Sequence, residues 1–410
     1  MVEQRYYYKK ISQLVDQGKL TIGLIVSPPR TNSTLVETSL VYSPDVQYAI
    51  HEPFIHINRD GSNIDDGYKN IYEAIQGDSF EYSGKKGITI VIKELSHRLS
   101  INNEYERLFD LINSPILFLI RNPLLTMESR IRKIIQTLSI KARLSTQRWL
   151  SNYLSQQEGI NNPDLVIQNK LLDLYSKKLG FLDWNRLVEV SFNNQDYRKL
   201  GDLLQIDRNR FILDLIGKGS LEEQIRHLEI HGRDLMLVDS TEFRLDPEQI
   251  MRTLCKNWSI DYVNEMIAWG RRDLQLRRGE EKFSDLVWYD TLSNSEGVNP
   301  PLDVLPTLDK FPNFVQDHLR YGDIPQYIRL FKHPKIVSGK KGTENQEFRI
   351  NTSMVRIRDI DPVYFLLKHP EAANDRTYMD KKREYSDLFK VMANEGVIQL
   401  IEGDLSGRRR

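Results

Sequence analysis

Residues 20–35 read LTIGLIVSPPRTNSTL and predict the fold class most clearly. Leu20 to Val26 form a short, nearly continuous apolar run rich in β-branched residues, which predicts a buried strand. A turn with two prolines follows, and a helical pattern then extends from Ser33 to Tyr42. The segment therefore predicts a strand, a turn and a helix in that order.

The same arrangement recurs along the chain. Further short apolar runs extend over Gly87 to Ile92, Ile116 to Ile120 and Leu235 to Val238, each separated from the next by helical or loop sequence. Continuous apolar runs of this length are typical of parallel strands that are buried on both faces. We therefore expect an α/β protein whose parallel sheet is flanked by helices in three layers. The polar stretch at about residues 124–228 lacks strand patterns and predicts a helical insertion.

The later part of the chain divides into a helix, a proline-rich segment and a terminal unit. Asp246 and Pro247, with Gln249, form a good helix start, since they supply an N-cap, a proline at the first helical position and a capping-box-like third residue. Prolines are frequent in the segment beyond Trp288. Residues 338–342 read SGKKG, which predicts a flexible link. We therefore expect a main domain over residues 1–335 and a small α+β unit of unknown role over residues 336–410. Its apolar residues need a partner surface, either the main domain or a second subunit in a homodimer.

Composition excludes several classes of protein. Among 410 residues, 57 are Lys or Arg and 57 are Asp or Glu, so no net charge favours a nucleic-acid or membrane partner. The single cysteine, Cys255, excludes an internal disulfide and fits a reducing compartment, and its apolar surroundings predict burial. No apolar run approaches the roughly 20 residues that span a bilayer, and the N-terminus lacks the apolar core of a signal peptide. We expect a cytoplasmic protein.

The turn after the first predicted strand has the features of a phosphate-binding loop. A helix that begins near Ser33 directs unpaired N–H groups and its positive dipole end back at the turn. Hydroxyl side chains and the guanidinium of Arg30 add to that anion site. The glycines and the lysine of a Walker A loop are missing, which argues against ATP with magnesium.

A second element supports an anion site. The strand that ends at Ile120 leads into Arg121-Asn122-Pro123, and Ser129 follows Arg121 by eight residues. Ser129 then lies about two helical turns from the start, at about 1.5 Å per residue, where its hydroxyl can support a phosphate held by Arg121.

Together, these two segments resemble the superfamily of sulfotransferases that use 3′-phosphoadenosine 5′-phosphosulfate (PAPS). Residues 29–35, PRTNSTL, are similar to the family's 5′-phosphosulfate loop, and Arg121-Asn122-Pro123 with Ser129 is similar to its 3′-phosphate motif. Weaker similarities to a bacterial branch extend to about residue 300. The resemblance implies a P-loop-like sulfotransferase fold, PAPS as the cofactor, no metal, and a small-molecule or carrier-bound acceptor. It also implies these cofactor-binding residues: Arg30, Thr31, Asn32, Ser33, Thr34, Leu35, Arg121 and Ser129.

Two positions depart from the family pattern or match it weakly. Asn32 stands where the family usually has glycine, and asparagine is the next best residue for a left-handed backbone conformation. Arg277-Arg278-Gly279 is a candidate for the late basic segment that closes over the 3′-phosphate.

Sulfuryl transfer requires a base for the acceptor's proton and cations for the developing negative charge. Arg30 and Lys93 are the predicted cations. Glu52 is the leading candidate for the base, because some relatives place a catalytic glutamate after the corresponding helix. The competing candidates for the base are His51, Glu94 and His97.

Two other functions compete with this interpretation. One is a catalytically idle sulfotransferase-like module that binds a nucleotide or a partner, an alternative that Asn32 supports. The other is a kinase with a degenerate loop, for which Asp239 is the only candidate magnesium ligand. The sequence leaves the identity of the acceptor open, including the choice between a hydroxyl and an amine.

Overall fold

The computed structural model describes residues 5–54, 64–76, 87–100, 103–133, 190–200, 221–270, 276–277, 292, 295–300 and 306–337. Within these residues the chain forms a seven-stranded sheet in which every strand pair is parallel. The strand order is β6-β2-β3-β1-β4-β5-β7. The strands are β1 (Leu20–Ser27), β2 (Tyr48–His51), β3 (Ile88–Leu95), β4 (Ile116–Ile120), β5 (Leu235–Asp239), β6 (Leu276–Arg277) and β7 (Ile336–Val337).

The helices are α1 (Tyr6–Asp16), α2 (Ser33–Val41), α3 (Asp65–Gln76), α4 (Ser96–Leu99), α5 (Glu104–Asp110), α6 (residues 123–133), α7 (residues 221–230), α8 (Ser240–Leu245), α9 (Pro247–Trp258), α10 (Asn313–His318) and α11 (Ile324–Phe331). A π-helical turn, Leu319–Asp323, joins α10 to α11. Short 3₁₀ turns lie at Arg198–Leu200, Asn264–Met266 and Leu308–Lys310.

The predicted three-layer α/β arrangement is confirmed. Alternate residues of β1, such as Leu24 and Val26, join a core cluster on one face of the sheet, whereas Ile25 joins a cluster on the other. The first face is covered by α1, α3, α5, α7 and α11, and the second by α2, α8 and α9. Both faces of β1 to β5 are therefore largely closed to solvent, as the continuous apolar strands require.

The four predicted strands are all present as β1, β3, β4 and β5, while three others were missed. β3 extends beyond the predicted apolar run to include Lys93, Glu94 and Leu95. The charged residues Lys93 and Glu94 are buried in this extension. β2 has only four residues, and β6 and β7 have two each, which is too short for a periodic pattern. The predicted start of α9 is confirmed, because the Asp246 side chain accepts a hydrogen bond from the backbone N–H of Gln249 at 3.4 Å.

The described residues of the predicted insertion are mostly helical, with a turn and a loop at residues 194–197. α6, the helical turn at residues 190–193 and α7 lie within it, and residues 134–189 and 201–220 lie outside the described residues. A third apolar cluster joins Leu124 and Ile131 of α6 to Tyr197, Phe311 and Leu319. The first turns of the insertion are thereby packed against the proline-rich segment.

The predicted C-terminal unit lies almost entirely outside the described residues. Ile336 and Val337 are described, and they pair with Leu237 and Val238 at the edge of the main sheet. The division near residue 335 stays a prediction.

Two further expectations concern the cysteine and membrane-spanning segments. Cys255 is buried in α9 beside Met266, as predicted. Among the described helices, none is long and apolar enough to cross a membrane.

Candidate functional site

The loop after β1 has an unusual backbone. Asn32, immediately before α2, adopts the left-handed conformation with φ 59° and ψ 23°. Arg30 also has a positive φ of 66°, which is uncommon for a residue with a long side chain. The Thr31 hydroxyl donates to the carbonyl of Pro28 at 2.9 Å, closing the turn. Asn32 therefore adopts the left-handed conformation in which asparagine is the best residue after glycine.

The predicted second motif starts α6 as the sequence suggested. The side-chain oxygen of Asn122 accepts from the backbone N–H of Leu124 at 3.0 Å, and Pro123 occupies the first helical residue. Ser129 lies two turns further along the helix, half-buried. The local sequence thus fixes both the start of the helix and the position of the serine.

The structure brings the two motifs into direct contact. Arg30 donates to the Ser129 hydroxyl from Nε at 3.1 Å and from Nη2 at 3.0 Å. Arg121 donates from Nη1 to the backbone carbonyl of Arg30 at 2.9 Å. The guanidinium of Arg121 therefore supports the loop that carries the guanidinium of Arg30.

This contact lies where parallel α/β sheets commonly bind ligands. β1 and β4 are neighbours, but the chain leaves β1 towards β2 on one side and leaves β4 towards β5 on the other. Such a reversal opens a crevice at the carboxyl ends of the two strands. Arg30 follows β1 and Arg121 follows β4, so both arginines lie at that crevice.

The charges at the crevice favour an anion. Burial lowers the pKa of Arg121, and the nearby cations Arg244 and Arg30 lower it further, against the opposing effects of Asp239 and Glu128. Arg244, in α8, donates to the carbonyls of Asn299 and Pro300 at 2.8 and 2.5 Å. Three guanidinium groups, those of Arg30, Arg121 and Arg244, thus form an arginine cluster whose mutual repulsion a bound anion would relieve.

Several buried polar atoms at this loop have no hydrogen-bond partner among the described residues. They are Oγ of Ser27, Nδ2 of Asn32 and Nε of Arg121. Buried polar atoms in folded proteins are nearly always paired, so these atoms point to a ligand or to water. All three can donate a hydrogen bond, as phosphate or sulfate oxygens require.

A second polar cluster lies at the ends of β2 and β3. The Glu52 carboxylate accepts from Lys93 through Oε1 and from Arg98 through Oε2, the latter at 2.7 Å. His51 lies between two carboxylates, with Nδ1 2.6 Å from Glu37 and Nε2 3.4 Å from Glu52. Glu94 completes the set at 3.2 Å from Arg98. We refer to Glu37, His51, Glu52, Lys93, Glu94 and Arg98 as the carboxylate network.

The network adjoins the anion site through strand pairing. The Cα of Lys93 is level with that of Ile25 on β1, and the Cα of Glu94 with that of Val26, both close to the start of the loop. Neighbouring strands lie about 4.8 Å apart. Four of the six network side chains are fully or almost fully buried, whereas those of Glu52 and Arg98 remain 10% and 14% exposed. Of the network residues, these two are the ones that a substrate can reach most easily.

The environments of the candidate bases differ. Burial alone would raise the pKa of Glu52, but Lys93, Arg98 and His51 hold it well below its ordinary value. Burial also opposes protonation of His51, yet the neighbouring Glu37 raises its pKa overall. Glu52 is therefore ionised, and its positive φ of 50° is fixed by a hydrogen bond from its N–H to the Lys93 carbonyl at 2.8 Å.

The other candidates are placed differently. Glu94 is fully buried and accepts from the backbone N–H groups of Phe54 and Leu95 at 2.8 and 2.7 Å, which anchors the chain around it. Burial lowers the pKa of His97 to about 4, and Arg98 contributes to that shift. His97 is consequently neutral at pH 7, and its Nδ1 has no hydrogen-bond partner among the described residues.

Arg277 is not brought to the arginine cluster. It lies in β6, opposite Ile50 of β2, at the far edge of the sheet from β4. Four strand spacings separate β6 from β4, or about 19 Å at an interstrand distance of about 4.8 Å. Arg278 and Gly279 lie outside the described residues, so the role of this segment stays a prediction.

Asp239, the candidate magnesium ligand, has a structural contact instead. Its side chain caps α8 by accepting from the backbone N–H groups of Thr241 and Glu242 at 2.7 and 3.1 Å. Within the described part of the chain, no group of three or more His, Cys, Asp or Glu residues could hold a metal ion.

Sequence reasoning missed three residues of these clusters: Glu37, Arg98 and Arg244. Arg98 follows Glu94 by only four residues, across the junction of β3 and α4, and this short separation could have indicated the ion pair. Glu37 and Arg244 carry no such signal, because their partners are distant in sequence.

The comparisons with known proteins add no relative. Searches against protein-family models, curated proteins and solved structures found no match to this chain.

Proposed function

We propose that this chain is a PAPS-dependent sulfotransferase that transfers a sulfuryl group to a hydroxyl or an amine of a small or carrier-bound metabolite. The observation that carries the proposal is the contact of Arg30 with Ser129, reinforced by Arg121. The two segments that resemble the family's phosphate motifs are distant in sequence, and they meet at the crevice where an α/β sheet binds nucleotides. A P-loop-like sulfotransferase fold is part of the same proposal.

The residues at the crevice fit an anionic nucleotide. Arg121 and Ser129 would hold the 3′-phosphate, while Arg30 and the N-terminal end of α2 would hold the 5′-phosphosulfate. Unpartnered donors at Asn32 and Arg121 are available for the same oxygens. Arg244 is a further cation at this site, and its charge lowers the pKa of Arg121.

The donor would supply the sulfuryl group, with the bond from sulfur to the bridging phosphate oxygen breaking as the acceptor oxygen or nitrogen bonds to sulfur. Glu52, ionised and partly exposed, would take the proton that the acceptor loses. Lys93 would stabilise negative charge that develops on the donor oxygens, since it lies one strand away from the loop. Arg98 would fix the second oxygen of Glu52.

A catalytically idle nucleotide-binding module remains the alternative, because it would use the same anion site. The left-handed conformation of Asn32 removes one reason to prefer it, since the loop keeps the backbone geometry that glycine provides. The retained ion pair of Glu52 with Lys93 favours chemistry over binding alone.

The experiment that tests the proposal is transfer of ³⁵S from labelled PAPS. The full chain is incubated with mixtures of hydroxylated and amine metabolites, free and carrier-bound, in the presence of a metal chelator. We expect a labelled product that Glu52→Gln reduces strongly. Nucleotide binding without any labelled product would favour the idle module, and failure to bind the nucleotide would contradict both.

A further inference from the structure

The His51 ring joins two carboxylates of the carboxylate network. Its Nδ1 lies 2.6 Å from Oε2 of Glu37, and its Nε2 lies 3.4 Å from Oε1 of Glu52. These atoms come from three elements, since Glu37 is in α2, His51 ends β2, and Glu52 follows it. A glutamate on the helix behind the phosphate loop is thus connected through one imidazole to the predicted base.

Glu37 can act on an acceptor only through His51. The Glu37 side chain is fully buried and that of His51 is 1% exposed, whereas that of Glu52 keeps 10% exposure. A carboxylate behind a histidine commonly fixes the orientation and the protonation of the ring, as in catalytic triads and metal sites. The same arrangement is present here, with the ring directed at a carboxylate.

Stability alone does not account for these charges. The network contains three carboxylates and three basic side chains, all of them buried or nearly so. Buried ion pairs contribute little net stability compared with apolar residues of similar size, because desolvation offsets their attraction. Buried polar groups can instead fix one arrangement of the side chains around them.

We propose that Glu37 is a positioning residue, which keeps both ring nitrogens of His51 protonated so that Nε2–H is directed at Oε1 of Glu52 and holds that carboxylate in the orientation in which it takes the proton of the acceptor. The inference rests on the proposed function, and it names Glu37, which the sequence did not indicate. The charged groups that face His51 are Glu37 from α2, Glu52 from the loop after β2 and Lys93 from β3.

The first test is independent of activity. In the ¹⁵N-histidine-labelled full chain, NMR titration should show both nitrogens of His51 protonated at pH 7, with a His51→Asn variant assigning the signal. In Glu37→Gln, the midpoint of the titration should move down by about one pH unit or more. A neutral His51 at pH 7 in the wild type overturns the proposal without any variant, and an unchanged midpoint in Glu37→Gln overturns it as well.

The second test measures turnover. Glu37→Gln should lower kcat by about ten- to a hundredfold, as loss of an orienting partner typically does, with nucleotide affinity unchanged within about twofold. Glu104→Gln is the matched control, because Glu104 is another buried carboxylate and lies in α5, outside the carboxylate network. It accepts hydrogen bonds from Tyr68 and Arg107. We expect the control to change neither the His51 titration nor kcat.

The two tests separate the two proposals. If Glu37→Gln shifts the titration of His51 but leaves kcat unchanged, the positioning role of Glu37 is wrong and the proposed sulfotransferase function is unaffected. Absence of transfer by the wild type with every acceptor refutes the proposed function, and the titration then still decides whether Glu37 controls the protonation of His51.

Discussion

Arg30 donates two hydrogen bonds to the hydroxyl of Ser129, at 3.1 and 3.0 Å, across 99 positions of sequence. The contact joins the loop after β1 to the helix after β4, and Arg121 donates to the backbone carbonyl of the same arginine at 2.9 Å. Two segments that resemble separate phosphate-binding motifs therefore form one site.

Removing either member of the second motif should weaken nucleotide binding. Arg121→Ala should reduce the affinity for 3′-phosphoadenosine 5′-phosphate by about ten- to a hundredfold, since a charge-assisted hydrogen bond is worth about 1.5 to 3 kcal/mol. Ser129→Ala should have a smaller effect in the same direction, because a neutral hydroxyl is lost. Calorimetric titration measures both.

Arg252→Ala is the control for charge. Arg252 is exposed on α9 and pairs with Glu248, so its removal changes net charge by the same amount outside the site. We expect the affinity of this variant for 3′-phosphoadenosine 5′-phosphate to stay within about twofold of the wild-type value. An equal loss in Arg121→Ala and Arg252→Ala would mean that only general electrostatics is involved.

Glu52→Gln should separate chemistry from binding. Loss of a general base lowers turnover by about two to four orders of magnitude, while nucleotide affinity should be nearly unchanged. Lys93→Ala should also lower turnover strongly, because Lys93 would stabilise the negative charge that develops on the donor oxygens. If Glu52→Gln keeps wild-type turnover, Glu52 is not the base. Loss of turnover in one of the variants His51→Ala, Glu94→Gln and His97→Ala would then identify the base, and the family proposal would stand.

The ion pair of His51 should make stability depend on pH. The pKa of His51 is raised in the folded protein, because Glu37 outweighs the effect of burial. Its contribution to stability is therefore complete below the unfolded pKa of about 6.5 and is lost as the pH rises through the folded value. Urea denaturation between pH 6 and 9 should show a decline that His51→Gln flattens. The same slope in His51→Gln as in the wild type would contradict the ion pair. His231→Gln, in the exposed turn that follows α7, is the control.

The reactivity of the Cys255 thiol should distinguish the folded protein from the unfolded protein. Burial raises the pKa of its thiol to about 12, and the residue is 2% exposed, so both the thiolate and access are lacking. We expect no reaction with a thiol reagent at pH 8 in the native protein and complete reaction in urea. Rapid labelling of the native protein would mean that α9 opens readily.

The sequence predicted the parts of the fold and site that depend on local patterns. β1, β4 and β5 stood out because their residues are continuously apolar, and the start of α9 because Asp246 and Pro247 form a local signal. The loop after β1 and the Arg121 to Ser129 spacing were equally local.

The missed features depend on tertiary structure. The last residues of β3 were hidden because Lys93 and Glu94 are charged, and only the network around them explains their burial. Glu37 was missed because its partner, His51, lies on a separate strand. The position of Arg277 at the far edge of the sheet follows from strand order, which the spacing of motifs does not reveal.

The most direct test of the central claim is calorimetric titration of the full chain with 3′-phosphoadenosine 5′-phosphate and with adenosine 5′-monophosphate, each with and without magnesium. The proposed site predicts that the first nucleotide binds without metal and at least about tenfold more tightly than the second, since Arg121 and Ser129 would contact the 3′-phosphate. Equal affinities for the two nucleotides, or binding that requires magnesium, would contradict it.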